Sequence, residues 1–387
     1  MIAAGADTCC HGTTTDHILE LQSIRGIASL FVVVGHCISF YAAPAWWNLF
    51  KHIVNTKAAV EVFFVLSGYV LGRSLYKGDF SRTSLEAYYI KRIARIYPAL
   101  LVASAVALLY VSLVHFNVPI PAQSQWMSER FRAERFTIIH IAASFLGLLA
   151  FLIPPVWTIF VELVASALLP LAGILMANRV VLFWVLVIAL VLVSVTVGGS
   201  VYYNVDLYLM DFALGAAIVL INPAHILPKV LTTHRMTVVV VLATALLICT
   251  RASFNVGPRD RWMHLYESAL AALIIFTFAK MGFRSKPLRS RFFVWLGDIS
   301  YSVYLLHFTV MCLTAAVLQI ACPNAISTLG GVVAGLLLSV VTICVVLPLS
   351  ALMYQKVELP GIRLGKWIAR ARTVDVTAER APVARPL

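Results

Sequence analysis

Eleven apolar runs of helix length follow one another along this chain and leave it little choice of fold. The first covers residues 20–40, and the others lie at about 57–76, 96–115, 137–153, 156–177, 180–197, 202–221, 236–251, 263–282, 293–320 and 328–352. With 61% hydrophobic and 12% charged residues among 387, the chain is more apolar than a soluble protein of this size. Because backbone polar groups must be paired within a bilayer, such runs cross it as helices. We therefore predict an all-α, polytopic membrane protein.

Three groups of five Lys and Arg residues orient these runs. They occupy residues 77–95, 280–291 and 356–372, and the positive-inside rule places all three in the cytoplasm. Two apolar runs precede the first basic group, so the N-terminus is predicted to be cytoplasmic. The third basic group follows the last run, so the C-terminus is also predicted to be cytoplasmic, and the number of spans must be even. We predict about ten transmembrane helices. The weakest run, 137–153, ends at Pro154-Pro155 and is predicted to be a re-entrant or interfacial helix.

Composition divides the chain into one membrane domain and two tails. Residues 1–17 are predicted to be a cytoplasmic N-terminal tail, since no basic segment precedes the first apolar run as in a signal peptide. Residues 18–366 form the predicted transmembrane domain, without an internal repeat or an added soluble domain. Residues 367–387 are rich in Arg, Ala, Pro and Thr and are predicted to be a disordered cytoplasmic tail. The seven cysteines include no CxxC pair, and no residues have metal-ligand spacing.

The first run carries an arginine near its start and a histidine near its end, Arg25 and His36. On a helix the eleven steps between them cover about 16 Å and return to within about 20° of the same direction. Ionisable residues inside a bilayer are costly and usually functional. The alternatives are that Arg25 extends to the interface and that His36 is a packing residue.

Ionisable residues of the other spans fall into two layers once the orientation is fixed. A layer near the outer surface is predicted to contain two histidines and two glutamates, namely His36, Glu61, Glu162 and His307. A second layer at the cytoplasmic surface is predicted to contain three arginines, namely Arg25, Arg92 and Arg95. The last two are three residues apart and share one helix face.

These two layers suggest a chemistry. An imidazole held by a carboxylate is a general base, so Glu61 or Glu162 is predicted to orient His36. Arginines bind phosphate groups with bidentate geometry, and the separation of about 16 Å suits a long donor such as acyl-CoA. The alternative for Arg92 and Arg95 is that they only fix the membrane topology.

Five further residues are predicted to contact substrate: Ser67, Trp157, Tyr301, Ser302 and His307. Each has a structural alternative. The Ser67-Gly68 pair is also typical of close helix packing, and Trp157 of an interfacial aromatic residue. The side chains of Tyr301 and Ser302 line an acyl pathway or cross-link helices.

Six motifs in this order resemble the acyltransferase-3 family of membrane O-acyltransferases over about residues 18–366. They are Arg25 with His36, Glu61 to Gly68 (EVFFVLSG), Arg92 and Arg95 before Ile96-Tyr97-Pro98, Trp157 with Glu162 and Pro170, Gly297 to His307, and Glu358 with Pro360. One departure is visible, because the acidic residue before the Phe-Phe pair is usually aspartate in the family and is Glu61 here.

The resemblance implies an enzyme of the bacterial inner membrane that transfers an acyl group, usually acetyl, from cytosolic acetyl-CoA to a sugar hydroxyl. The acceptor would be a surface polysaccharide or a lipid-linked glycan. Arg25, Arg92 and Arg95 would lie near the CoA phosphates, and His36 would be general base or acyl carrier. No permanently bound cofactor, metal or nucleic acid is expected. Since no soluble domain is expected here, the acceptor would either reach the membrane site directly or be served by a separate extracytoplasmic transferase as partner.

Three other functions fit parts of the pattern. A small molecule such as a macrolide would be an alternative acceptor for the same enzyme. A secondary transporter for a sugar-like solute would also need ionisable residues at membrane depth, although it usually shows internal repeats. A non-catalytic scaffold or sensor would tolerate loss of His36 without loss of acyl product.

Overall fold

The computed structural model describes residues 18–44, 46–47, 54–76, 78–131, 136–197, 202–223, 233–254 and 260–379. The predicted N-terminal tail, residues 1–17, lies outside the described residues. Within them the fold is helical, with one isolated antiparallel bridge between Tyr41 and Gln123. The prediction of an all-α membrane protein is confirmed.

Fourteen α-helices follow one another in the described part of the chain. They are α1 (Leu19–Ile38), α2 (Thr56–Tyr76), α3 (Arg82–Tyr110), α4 (Gln125–Ser128), α5 (Ile138–Phe145), α6 (Trp157–Asn178), α7 (Val180–Thr196), α8 (Val205–Leu220), α9 (Thr233–Phe254), α10 (Arg261–Ala279), α11 (Arg291–Asp298), α12 (Ser300–Ala321), α13 (Ala325–Met353) and α14 (Leu359–Glu379). Short π-helical turns, Val111–His115 and Tyr354–Glu358, continue α3 and join α13 to α14.

Eight helical segments in the described residues are long and apolar enough to cross a bilayer. They contain α1, α2, α3, α6, α8, α10, α12 and the continuous helix formed by α13 and α14. Two further apolar helices in the described residues, Val180–Thr196 and His234–Cys249, are shorter than these eight. Helix α5 has eight residues and is too short to cross, as the sequence predicts for the run at 137–153.

The last residues between α5 and α6 are irregular but largely buried. Leu152, Ile153 and Val156 are each at most 2% exposed, whereas Leu146 and Leu148 earlier in this connection are 50% and 44% exposed. Irregular backbone within a membrane protein is tolerated where protein surrounds it. Helix α6 therefore begins among packed side chains.

Close helix packing at small residues sets the centre of the bundle. A Cβ added at Gly68 of α2 would collide with the backbone of Phe212 in α8, and one at Gly215 of α8 with the backbone of Val65 in α2. Similarly, a Cβ at Gly26 would be 2.7 Å from the backbone nitrogen of Gly297. Small residues let helix backbones approach in this way, and the packing interpretation of Gly68 is supported.

Helix α14 extends into the segment 367–387, for which the composition predicts disorder. It packs along α3, where added Cβ atoms at Gly361 and Gly365 would collide with Ala94 and its surroundings, and Ala369 is 2% exposed. This packing supplies the stabilisation that composition does not reveal. Residues 380–387 lie outside the described part.

Candidate active site

Two histidines meet between α1 and α12. His36 lies near the C-terminal end of α1, and its Nδ1 is 2.9 Å from Nε2 of His307. The ring planes differ by 5° and the ring centres are 5.1 Å apart, which is the geometry of a hydrogen bond in the plane of both rings. His307 is fully buried, and its Nδ1 is 2.7 Å from the backbone oxygen of Tyr304.

This chain of contacts determines which nitrogens carry hydrogen in the neutral rings. The carbonyl of Tyr304 can only accept, so Nδ1 of His307 must donate and its Nε2 is left as an acceptor. Nδ1 of His36 must then donate to that acceptor. The lone pair of His36 therefore lies on Nε2, the nitrogen that points away from the pair and is able to accept a proton.

An aromatic residue of the segment after α3 covers His36. Trp126 on α4 stacks on the imidazole with 5.5 Å between ring centres and 17° between planes, and the guanidinium of Arg130 lies 5.0 Å from the Trp126 ring. Ser124 anchors this segment to the end of α1, because its hydroxyl donates to the Ser39 carbonyl at 2.6 Å. The plane of the His36 ring is thus fixed as well as its hydrogen bond.

A pocket nearer the start of α1 contains the arginines. Its lining consists of Arg25, Val60, Phe63, Phe64, Ser67, Arg95, Ile96, Thr158, Ile159, Glu162, Ser300, Tyr301 and Tyr304. One end is cationic and the walls are apolar and aromatic, as in a site for a ligand with a charged head and an extended arm.

The charges in this pocket are unequally compensated. Arg92 forms an ion pair with Glu162 and donates from Nε to the Ser166 hydroxyl at 2.9 Å. Arg95 lies 3.7 Å from the fully buried Glu358. Within the described residues Arg25 makes no hydrogen bond or ion pair, although it lies in the electrostatic field of both carboxylates. Arg25 is therefore the arginine available to an anionic ligand.

Tyr304 belongs to both parts of the site. Its side chain lines the pocket, whereas its backbone oxygen accepts from His307. Neither His36 nor His307 lines the pocket itself.

Glu61 lies in a different place, in a buried polar cluster between α2, α8 and α10. Its Oε1 is 2.8 Å from Nδ1 of His264, and Nε2 of His264 is 3.4 Å from Asp211. Ser268 donates to the same Asp211 oxygen at 2.6 Å. Both ring nitrogens of His264 thus face acceptors, and the cluster ties three helices together.

The structure brings several of the predicted residues together. His36 and His307 form one pair, while Arg25, Arg95, Ser67 and Tyr301 line one pocket. Arg92 lies beside that pocket through its ion pair with Glu162.

The predicted contacts of the two glutamates with His36 are wrong. Glu61 contacts His264 because its side chain points from α2 towards α8 and α10. Glu162 lies with Arg92 rather than with the histidine pair, because α3 begins at Arg82 and carries Arg92 along α6 to Glu162.

Three residues predicted to bind substrate do not line the pocket, namely Trp157, Ser302 and His307, of which His307 pairs with His36. Trp157 packs against Tyr208 at 5.1 Å between ring centres. Ser302 instead donates to Glu358 at 2.9 Å, which supports its cross-linking alternative.

Some site residues were missed by the sequence reasoning. His264 and Asp211 are ionisable residues within apolar runs, so sorting every such residue by depth would have found them. Glu358 was noted in the closing motif but not as the partner of Arg95. No sequence signal places Trp126 over His36, since it lies in a loop between spans.

Comparison with known proteins identifies the family. Residues 18–351 match the family model described as an acyltransferase domain. Over 340 residues the chain is 24% identical to the peptidoglycan O-acetyltransferase OatA of Listeria monocytogenes, covering 80% of this chain and 51% of that protein. Over 369 residues it is 25% identical to the putative peptidoglycan O-acetyltransferase YrhL of Bacillus subtilis, and this match covers 89% of this chain and 55% of that protein.

A shorter match of 161 residues, at 29% identity, is to protein 2 in the picA locus of Rhizobium radiobacter; it covers 39% of this chain and 80% of that protein. The chain spans about half the length of the two O-acetyltransferase relatives. No solved structure matches it. From the match over residues 18–351, the chain belongs to the acyltransferase-3 family of membrane proteins.

Proposed function

We propose that this protein is a membrane O-acetyltransferase that moves an acetyl group from acetyl-CoA to a carbohydrate hydroxyl. The observation that carries the proposal is the hydrogen-bond chain from the Tyr304 carbonyl through His307 to His36, which leaves Nε2 of His36 as a base. An acceptor hydroxyl needs such a base to become a nucleophile.

The donor side is supported by the pocket around Arg25. Two of the three arginines there are paired with carboxylates, and Arg25 is available to a phosphate oxygen. Arg25 and His36 are eleven residues apart on one helix, so about 16 Å separates their positions along its axis. An extended thioester arm can span that distance while its phosphates stay at the arginines.

The reaction then requires two proton transfers, to and from His36, and one exchange of bonds. Nε2 of His36 takes the proton from the acceptor hydroxyl as its oxygen attacks the thioester carbonyl carbon. The new carbon–oxygen bond forms, the carbon–sulfur bond breaks, and the imidazolium returns the proton to the departing CoA thiolate. His307 keeps the ring oriented and remains neutral.

The acceptor is assigned from the relatives. Two of them are named as peptidoglycan O-acetyltransferases, which supports a polysaccharide or its membrane-bound precursor as the acceptor class. The basic groups of the sequence favour a cytoplasmic position for the arginine pocket and an outward position for His36. In a bacterial inner membrane, donor and acceptor would then approach from opposite sides.

The test uses purified protein in lipid nanodiscs, where both faces are accessible. Labelled acetyl-CoA and soluble peptidoglycan fragments are added, and label in the glycan is measured for wild type, His36→Ala and His140→Ala. His140 is a control histidine whose ring bonds Thr137. We expect transfer by wild type and His140→Ala, and acetyl-CoA binding without transfer by His36→Ala.

Other outcomes are equally informative. Full transfer by His36→Ala would remove His36 from the chemistry. Failure of the wild type to bind acetyl-CoA would refute the proposed donor. Label that is bound to the wild-type protein in the absence of glycan, is released by neutral hydroxylamine and is lost in His36→Ala would favour an acyl carrier over a general base.

A further inference from the structure

The space between the arginine pocket and the histidine pair is closed by side chains. Along one face of α1 the order is Arg25, Ala28, Val32 and His36, at the spacing of three and four residues that places neighbours on one stripe. Ala28 and Val32 therefore lie between the two functional residues of this helix. They are 7% and 2% exposed.

The residue that covers this stripe is Tyr304. It packs in one apolar cluster with Ala28, Val32 and Ala59, and the ring of Phe63 lies 6.1 Å from its ring. We call Ala28, Val32, Ala59, Phe63 and Tyr304 the aromatic plug. Since Phe63 and Tyr304 also line the pocket, the plug forms the end of the pocket that faces His36.

The hydroxyl of Tyr304 is tethered in this position. It donates to the Pro155 carbonyl at 2.8 Å and accepts from the Thr158 hydroxyl at 2.8 Å. Pro155 belongs to the short 3₁₀ turn before α6, and Thr158 to the first turn of α6. The ring is thus held by two hydrogen bonds that a rotation of the side chain would break together.

We propose that the aromatic plug is the selectivity gate of the enzyme and that the Tyr304 ring sets the cross-section of the acyl group that passes. The inference rests on the proposed function, because the donor must travel from Arg25 to His36. Beyond the thioester carbonyl, a straight acyl chain has the thickness of a single methylene chain whatever its length. A branch next to the carbonyl is wider and meets Tyr304 on one side and Val32 on the other.

The test compares two donors of equal composition, butyryl-CoA and isobutyryl-CoA, each relative to acetyl-CoA. In Tyr304→Ala we expect the ratio of isobutyryl to acetyl transfer to rise about tenfold or more, the discrimination typical of one misplaced methyl group. The butyryl ratio should rise much less. The Tyr304 substitution leaves the backbone carbonyl that orients His307 in place.

Two further variants separate the gate from indirect effects. Val32→Ala widens the plug from the α1 side without changing Tyr304, and should raise the isobutyryl ratio in the same direction. Tyr301→Ala is the matched control, a tyrosine on α12 that lines the pocket and donates to the Ile96 carbonyl outside the plug. Its isobutyryl ratio should equal that of the wild type.

Three results would overturn the gate. They are unchanged ratios in the plug variants, an equal rise for butyryl and isobutyryl, and the same rise in Tyr301→Ala. If Tyr304→Ala does not insert into the membrane, Val32→Ala decides. An inactive wild type with acetyl-CoA refutes the proposed function and the gate with it, whereas an active wild type with unchanged variant ratios refutes the gate alone.

Discussion

Replacing His307 tests whether the hydrogen-bond chain sets the reactivity of His36. In His307→Leu the Nδ1 hydrogen of His36 loses its acceptor in a buried site, and the ring is free to place its hydrogen on Nε2 instead. Leucine has a similar volume to histidine, so the main change is the loss of the hydrogen-bonding nitrogens.

The magnitude follows from the contacts. A lost hydrogen bond and an unsatisfied buried donor together cost about 2–4 kcal/mol. Since about 1.4 kcal/mol corresponds to a tenfold change in rate, kcat should fall about 30-fold to 1000-fold. The side chain in His307→Gln still offers both a hydrogen-bond acceptor and a donor, so kcat of this variant should fall only about tenfold. The KM for acetyl-CoA should stay unchanged in both variants, because the arginine pocket lies beyond the plug.

The assay is steady-state acetyl transfer in nanodiscs, with thermal unfolding followed in parallel. Thr277→Val is the matched control, since it removes a buried hydroxyl that bonds the Leu273 carbonyl within α10, away from the site. A kcat within about threefold of wild type for His307→Leu, beside an inactive His36→Ala, would refute the orienting role of His307.

Three other substitutions test the remaining parts of the site and the fold. Arg25→Ala should raise the KM for acetyl-CoA about tenfold or more with less effect on kcat, since a charge-assisted contact to phosphate is lost; an unchanged KM would leave Arg25 without a role in donor binding. Glu61→Gln should lower the free energy of unfolding by about 3 kcal/mol and Glu61→Asp less, because His264 loses a charged partner; a normal unfolding midpoint with lost activity would return Glu61 to catalysis. Gly68→Ala should cost about 1–3 kcal/mol through collision with the α8 backbone, and wild-type thermal stability would contradict that packing.

Much of this architecture follows from the sequence because the bilayer limits the options. Apolar runs of sufficient length must become helices, and each run overlaps an observed helix, although α3 begins at Arg82 and the run at 137–153 contains only the short α5. The spacing of Arg25 and His36 on one helix face likewise required only helix geometry. The cationic pocket was predictable from Arg25 and Arg95 for the same reason.

Side-chain direction was not predictable in the same way. Glu61 and Phe63 are two residues apart on α2, so helix geometry places them on opposite sides but does not say that Glu61 meets the polar cluster and Phe63 the plug. Their direction depends on which helices surround α2, and that arrangement is a tertiary property. Composition alone also could not place α14 against α3, since the stabilising contacts are made by glycines and alanines.

Depth was the other quantity that residue counting could not give. Counting from the end of an apolar run assumes that the helix starts where the run starts, and this fails for α3, which begins at Arg82. Arg92 therefore lies about three turns into the helix, where it meets Glu162 of α6. Residue counting also gave no role to the short segment before α6. Its Pro155 carbonyl and the Thr158 hydroxyl in the first turn of α6 bond the Tyr304 hydroxyl, so this segment helps to hold the plug between the donor pocket and the histidine pair.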